Sequence, residues 1–161
     1  MGMVMGVNRS EAGFTLIELM VVVAVIGIVS VLAIPSMGDM IKEYKLRSGC
    51  RAVVSSLQNL KLRAIKENAR TVMIIDPVLD IYTTFVDNSP RNWALDLPEL
   101  ISKTNVRDEG LEISSNFGSN TFGFDNRGFL EPITGGEIIL TKDATRSKKI
   151  VLNTLGNIRV E

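Results

Sequence analysis

The sequence predicts an α+β protein in which one long N-terminal helix packs on a C-terminal antiparallel β-sheet domain. Three observations predict it. From Phe14 to Ile34 every residue is large or aliphatic except Thr15, Glu18, Gly27 and Ser30. Beyond that run, apolar residues recur at three- and four-residue spacing. From about residue 71, short β-branched and aromatic runs alternate with turn residues.

The apolar run is 21 residues long, close to the roughly 20 that carry a helix across a bilayer core. Its many Val and Ile residues suit lipid, because a helix satisfies every backbone group internally. Pro35 removes one backbone donor and crowds the carbonyl of Val31, which predicts a kink, and Gly38 loosens the same turn. Leu46, Cys50, Val53, Val54, Leu57, Leu60, Ala64 and Ile65 then mark an amphipathic continuation to about Asn68. At 1.5 Å per residue the whole helix would measure roughly 80 Å. The reading is a transmembrane half at 14–34, an amphipathic half at 35–70 and a β-rich globular domain at 71–161.

Strands are predicted at 71–75, 81–86, 111–114, 121–125, 137–142, 149–153 and 157–160. Asp125-Asn126-Arg127-Gly128 reads as a tight turn and Thr154-Leu155-Gly156-Asn157 as a hairpin connection. The stretch 88–106, with Pro90, Trp93 and Pro98, has weak periodicity and is predicted to be a loop with a short helical turn.

Charge and residue type narrow the function classes. The chain is neutral overall, yet residues 39–70 carry +5 (eight basic, three acidic) and residues 76–112 carry −5 (eight acidic, three basic). Opposite patches suit staggered self-association, and two solvated faces would read the same way. Cys50 is the sole cysteine and histidine is absent, so neither a disulfide within the chain nor a cysteine or histidine metal cluster is available. No paired nucleophile and base, Gly-rich phosphate loop or metal-ligand spacing is present, so no catalytic residue, metal or cofactor is assigned. Near the C-terminus Lys142, Arg146, Lys148, Lys149 and Arg159 outnumber Asp143 and Glu161. Such a cluster, above all Arg146, Lys148 and Lys149, could meet phosphates or a protein partner. Lysines that discourage edge-to-edge strand pairing explain the same residues.

The most specific signal lies at the start. Residues 1–13, MGMVMGVNRSEAG, end on Gly13, so a small residue stands before the apolar run. An ordinary secretory signal places its cleavage site after that run. Met1, Met3 and Met5 can each start the chain. Glu18 is the charged residue of the apolar stretch. A carboxylate there costs about 2.5–3.5 kcal/mol near the bilayer centre and less near its edge, unless a partner neutralises it.

Gly13-Phe14-Thr15-Leu16-Ile17-Glu18, continued to Pro35, resembles the class III signal of type IV prepilins and type II secretion pseudopilins. The resemblance implies that a prepilin peptidase cuts after Gly13 on the cytoplasmic side and methylates the new amine of Phe14, with the helix retained. It also makes Glu18 the acidic residue required for assembly. An amine on Phe14, four residues from Glu18, would offset the carboxylate's cost and fix the register between neighbours. Lys42, Lys45 and Arg47 outweigh Arg9, so the positive-inside rule does not supply the orientation. A periplasmic C-terminal domain on a bacterial inner-membrane anchor rests on the resemblance.

The long helix, the β-rich half with Phe124–Gly128, and the terminal Leu155–Val160 segment are similar to the H-type pseudopilins and related minor pilins (the GspH/FimT family). A major pilin is not suggested, because those usually close their C-terminal region with a cysteine pair. The implied function is that of a minor pilin or pseudopilin at or near the tip of a type IV pilus or secretion pseudopilus, supporting filament assembly and protein secretion. Its implied partners are other pilins, the prepilin peptidase, the inner-membrane assembly platform and membrane lipid. The alternative is a minor pilin that binds nucleic acid in DNA uptake.

Overall fold

The computed structural model describes residues 13–88, 92–95 and 100–161, apart from the side chains of 32–36. The predicted leader before Gly13, Pro90, Pro98, and the Pro35 side chain with its kink lie outside the described residues. Helix α1 runs Leu16–Glu67, and the chain divides after Met40 into two units.

In the first unit, the described apolar side chains of α1 from Leu16 to Val31 are exposed, Phe14 just before them being 82% accessible. Among the described residues, no helix is long and apolar enough to cross a membrane. The described apolar stretch is Leu16–Val31, shorter than the 21-residue run in the sequence.

In the second unit α1 buries Leu46, Cys50, Val53, Leu57, Leu60 and Ala64, a four-three alternation that keeps one stripe facing the core. Two expected members of the stripe differ. Val54 is half-buried and Ile65 is exposed, because each is one position round the helix from a buried neighbour. Asn68 ends the helix in the left-handed region (φ 51°), and the Ala69 N–H bonds back to the Ala64 carbonyl at 3.1 Å. That six-to-one bond is the closing device of a Schellman turn, here with Asn in place of Gly.

Strands β1 (Arg70–Asp76), β2 (Ile81–Asp87), β3 (Leu100–Asn105), β4 (Glu112–Ser115), β5 (Thr121–Phe124), β6 (Leu130–Glu131), β7 (Gly136–Asp143), β8 (Arg146–Leu152) and β9 (Ile158–Val160) follow. They form two antiparallel sheets, ordered β3-β2-β1-β5-β6 and β4-β7-β8-β9. The α+β prediction holds, with the β domain split in two. The seven predicted strands are present; β3 and β6 are additions. Strand β3 replaces part of the loop predicted at 88–106, since Leu100–Asn105 gains partners along β2 despite its mostly exposed side chains.

The core joins the α1 stripe to Met73, Phe122 and Phe124 of the first sheet and Ile113, Ile138, Leu140, Ile150 and Leu152 of the second. Phe117 stacks on Phe122 at 4.1 Å between ring centres. Asp80 ties the sheets together: its buried carboxylate accepts the Ile113 N–H at 3.2 Å and Arg107 Nε at 2.9 Å. The predicted turns at Asp125–Gly128 and Thr154–Asn157 abut, the second closing one residue earlier than expected, where the Gly156 N–H bonds to the Asn153 carbonyl at 2.9 Å. Gly156 (φ 71°) comes so close that a Cβ would lie 2.3 Å from the Gly128 carbonyl oxygen, a spacing and backbone that suit glycine.

Candidate functional site

At the N-terminal end, Thr15 stands just before the first helical residue. Its Oγ1 accepts the Glu18 N–H at 3.3 Å, satisfying one of the donors that a helix start leaves open. Thr15-Leu16-Ile17-Glu18 has the spacing of a capping box, a signal that reading Glu18 for its charge alone had missed. Farther along, Ser30 Oγ donates to the Ile26 carbonyl at 2.7 Å, so this hydroxyl is satisfied within the helix. Glu18 differs from both. Its side chain is exposed, and no carboxylate partner is present among the described residues. Phe14 and Gly13 precede the helix in exposed chain outside any helix or strand. The apolar run thus begins with one unneutralised carboxylate one turn from the Phe14 nitrogen.

The C-terminal basic cluster does not form one surface. Successive residues of a strand point to opposite faces, and in β8 Ile150 and Leu152 fix the core-facing side. Lys148 shares that side. It lines a groove against α1 with Arg47, Cys50, Arg51, Val54 and Val160. Lys149 faces the other way and pairs with Glu137 at 3.1 Å. Arg146 is held by Asp143 at 2.8 Å. Hydrogen bonds from Thr145 and the adjacent Arg146 hold the Asp143 carboxyl at about 2, well below its usual range. Cys50 is buried, and burial pushes its thiol up, as a packing role requires.

The opposite charge blocks of the sequence also meet inside the chain. Arg70, from the basic block, pairs with the fully buried Asp87 of the acidic one, and its guanidinium lies 4.2 Å from the Trp93 ring centre. One cation and one anion are thereby removed from the surfaces considered for self-association.

Comparisons with known proteins bear on these features. The prokaryotic N-terminal methylation motif matches residues 8–34. The model of the type II transport protein GspH matches residues 50–156. A type IV major fimbrial protein FimA of Dichelobacter nodosus is 35% identical over 135 residues, covering 81% of this chain and 79% of the relative. Another FimA of that organism is 44% identical over 78 residues, and there the chain spans only 45% of the relative's length. Similarity to major pilins therefore exists despite the lone Cys50, which corrects the expectation drawn from the absent cysteine pair.

Two solved structures share the fold. The minor pseudopilin EpsH from the type 2 secretion system of Vibrio cholerae has a TM-score of 0.57 at 14% identity, covering 73% of this chain and 96% of that one. The type IV minor pilin FimU of Pseudomonas aeruginosa has a TM-score of 0.60 at 16% identity, covering 74% and 90%. With the globular half matched across both sheets and the methylation motif in place before it, the chain belongs to the type II transport protein GspH family of minor pseudopilins and minor pilins.

Proposed function

We propose that this chain is a structural subunit at or near the tip of a type IV pilus or type II secretion pseudopilus, where it supports filament assembly and, in the secretion case, protein export. The observation that carries the reading is the exposed apolar start of α1 with the unpaired Glu18 in its first turn. A helix of this kind needs lipid or sister helices around it. In the precursor, Gly13 presents the small residue at which a prepilin peptidase cuts. The cut leaves Phe14 with an amine that can be methylated while remaining cationic. That amine, on the same or a neighbouring chain, then neutralises Glu18 and sets the axial register. The helix anchors the chain in the inner membrane, its C-terminal domain lies in the periplasm, and the assembly platform adds it to other pilin subunits. Its role is structural, and it is itself the substrate of the peptidase.

Glu18→Ala is the test. It should insert in the membrane as well as wild type or better, since a carboxylate leaves lipid. It should be lost from complexes with partner pilins recovered from the membrane. Co-recovery equal to wild type would refute the pairing. DNA uptake is the second reading, and it draws less support here because Arg146, Lys148 and Lys149 are divided between two faces and two ion pairs.

A further inference from the structure

The groove that Lys148 lines lies between α1 and the rim of the second sheet. It measures about 350 Å³ and is lined by Arg47, Cys50, Arg51, Val54, Lys148 and Val160. Its floor is apolar and its rim carries three cations. Arg47 shares its charge with Glu43 at 2.7 Å. Arg51 and Lys148 have no hydrogen-bond or ion-pair partner among the described residues. On the flanking elements, Glu43 is already held by Arg47 and Glu161 pairs with Arg159.

Beside the groove runs an open strand edge. β9 is the last strand of its sheet. The Glu161 N–H and carbonyl both bond to Lys149, and the Asn157 carbonyl accepts the Asn153 N–H. In an antiparallel ladder, hydrogen-bonded and non-bonded pairs alternate. The N–H and carbonyl groups of Ile158 and Val160, opposite Leu152 and Ile150, therefore point away from β8, to the side on which no strand among the described residues is paired. The Val160 side chain lies in the groove itself.

We infer, building on the assembly reading above, that this edge and groove receive an extended acidic segment of a neighbouring subunit, which adds a strand beside β9. Backbone pairing to Ile158 and Val160 supplies affinity, while pockets for alternate side chains supply selectivity. A carboxylate on the added strand meets Arg51 and Lys148, and an apolar residue covers Val54 and Val160. The surplus of positive charge selects an acidic segment and repels a basic one.

The test uses the full-length chain in lipid nanodiscs and a fluorescein-labelled eight-residue peptide of alternating Glu and Val, read by fluorescence anisotropy. The peptide should bind wild type and bind Arg51→Glu/Lys148→Glu about tenfold more weakly or worse. Arg51→Lys/Lys148→Arg, which keeps both charges, should retain binding and so separates lost charge from lost fold. A peptide N-methylated at every second amide, or one with Lys for Glu, should not bind. No binding by wild type, equal binding of the Glu and Lys peptides, or undiminished binding by the Glu variant overturns the inference. Tighter binding of single-stranded oligothymidylate at the same groove overturns it in favour of a phosphate site. Self-association abolished by the Glu variant, without peptide binding, assigns the groove to a second copy instead. The mass of the mature N-terminus reads the assembly proposal separately: a chain cut after Gly13 that ignores the peptide loses this inference alone.

Discussion

Arg70 and Asp87 face each other as cross-strand partners at one end of β1 and β2. The guanidinium Nε, at 2.9 Å, and Nη2 both donate to Asp87 Oδ2, and the Asp87 side chain is fully buried. The Trp93 N–H adds a third donor to the same oxygen at 3.2 Å. The other oxygen, Oδ1, is buried with no hydrogen-bond partner among the described residues. The arrangement therefore depends heavily on Arg70.

Removing the cation alone should be costly. Arg70→Ala leaves a buried carboxylate without its countercharge, and the expected loss is about 3–5 kcal/mol in urea unfolding. Arg70→Met/Asp87→Leu should recover much of that loss, because no buried charge is then left unpaired. If the single variant costs under about 1 kcal/mol, the pair behaves as a surface bridge and this account of it is wrong.

A pH effect is expected at the turn after β5. Burial pushes the Asp125 carboxyl up, but the N–H groups of Phe129 and Arg127 and the Arg127 guanidinium outweigh it, leaving it below its ordinary value of 3.8. Oδ1 accepts Phe129 N–H at 2.8 Å and Arg127 N–H at 2.9 Å. A depressed carboxyl contributes stability that is fully present above the unfolded-state value and is lost as pH falls through the folded one. The stability difference between wild type and Asp125→Asn should thus be flat from neutral pH to about 5 and shrink below about 4. Asp125→Ala should cost about 1–3 kcal/mol at neutral pH, since the turn loses its acceptor. A difference that grows on acidification would contradict the assignment.

Much of this architecture was legible from residue type and spacing. The stripe from Leu46 to Ala64 marked the buried helix face, and Asn68 marked where the helix ends. The turns at Asp125–Gly128 and, one residue out of register, at Thr154–Asn157 were readable from their Asp, Asn and Gly residues. The division into two sheets was not, because β1 pairs with β5 across some fifty residues and no local pattern encodes that partner. Strand β3 escaped notice because its side chains are largely exposed, so it lacks the periodicity that betrays a half-buried strand. The C-terminal cations divide between two faces because Lys148 and Lys149 are consecutive in β8 and must face opposite ways.

That geometry makes a prediction about nucleic acid. Replacing Arg146, Lys148 and Lys149 together by alanine in the full-length chain should leave duplex-DNA binding at the weak level of any neutral protein, as in wild type. Two of the three cations are already paired, and they do not line one track of phosphates. Tight binding by wild type with a steep salt dependence that flattens in the variant would show several phosphates neutralised at once and would restore the DNA-uptake reading.

If the chain is a filament subunit, it matures by losing its leader and keeping its apolar helix. Intact-mass and N-terminal peptide analysis of the protein extracted from its native membrane measures this directly. The predicted product begins at Phe14, carries one added methyl group and retains Glu18 and the whole run to Ile34, while Gly13→Arg accumulates as uncut precursor. A mature chain that begins beyond Ile34 would show an ordinary signal peptide, and the filament-subunit account would fall with it.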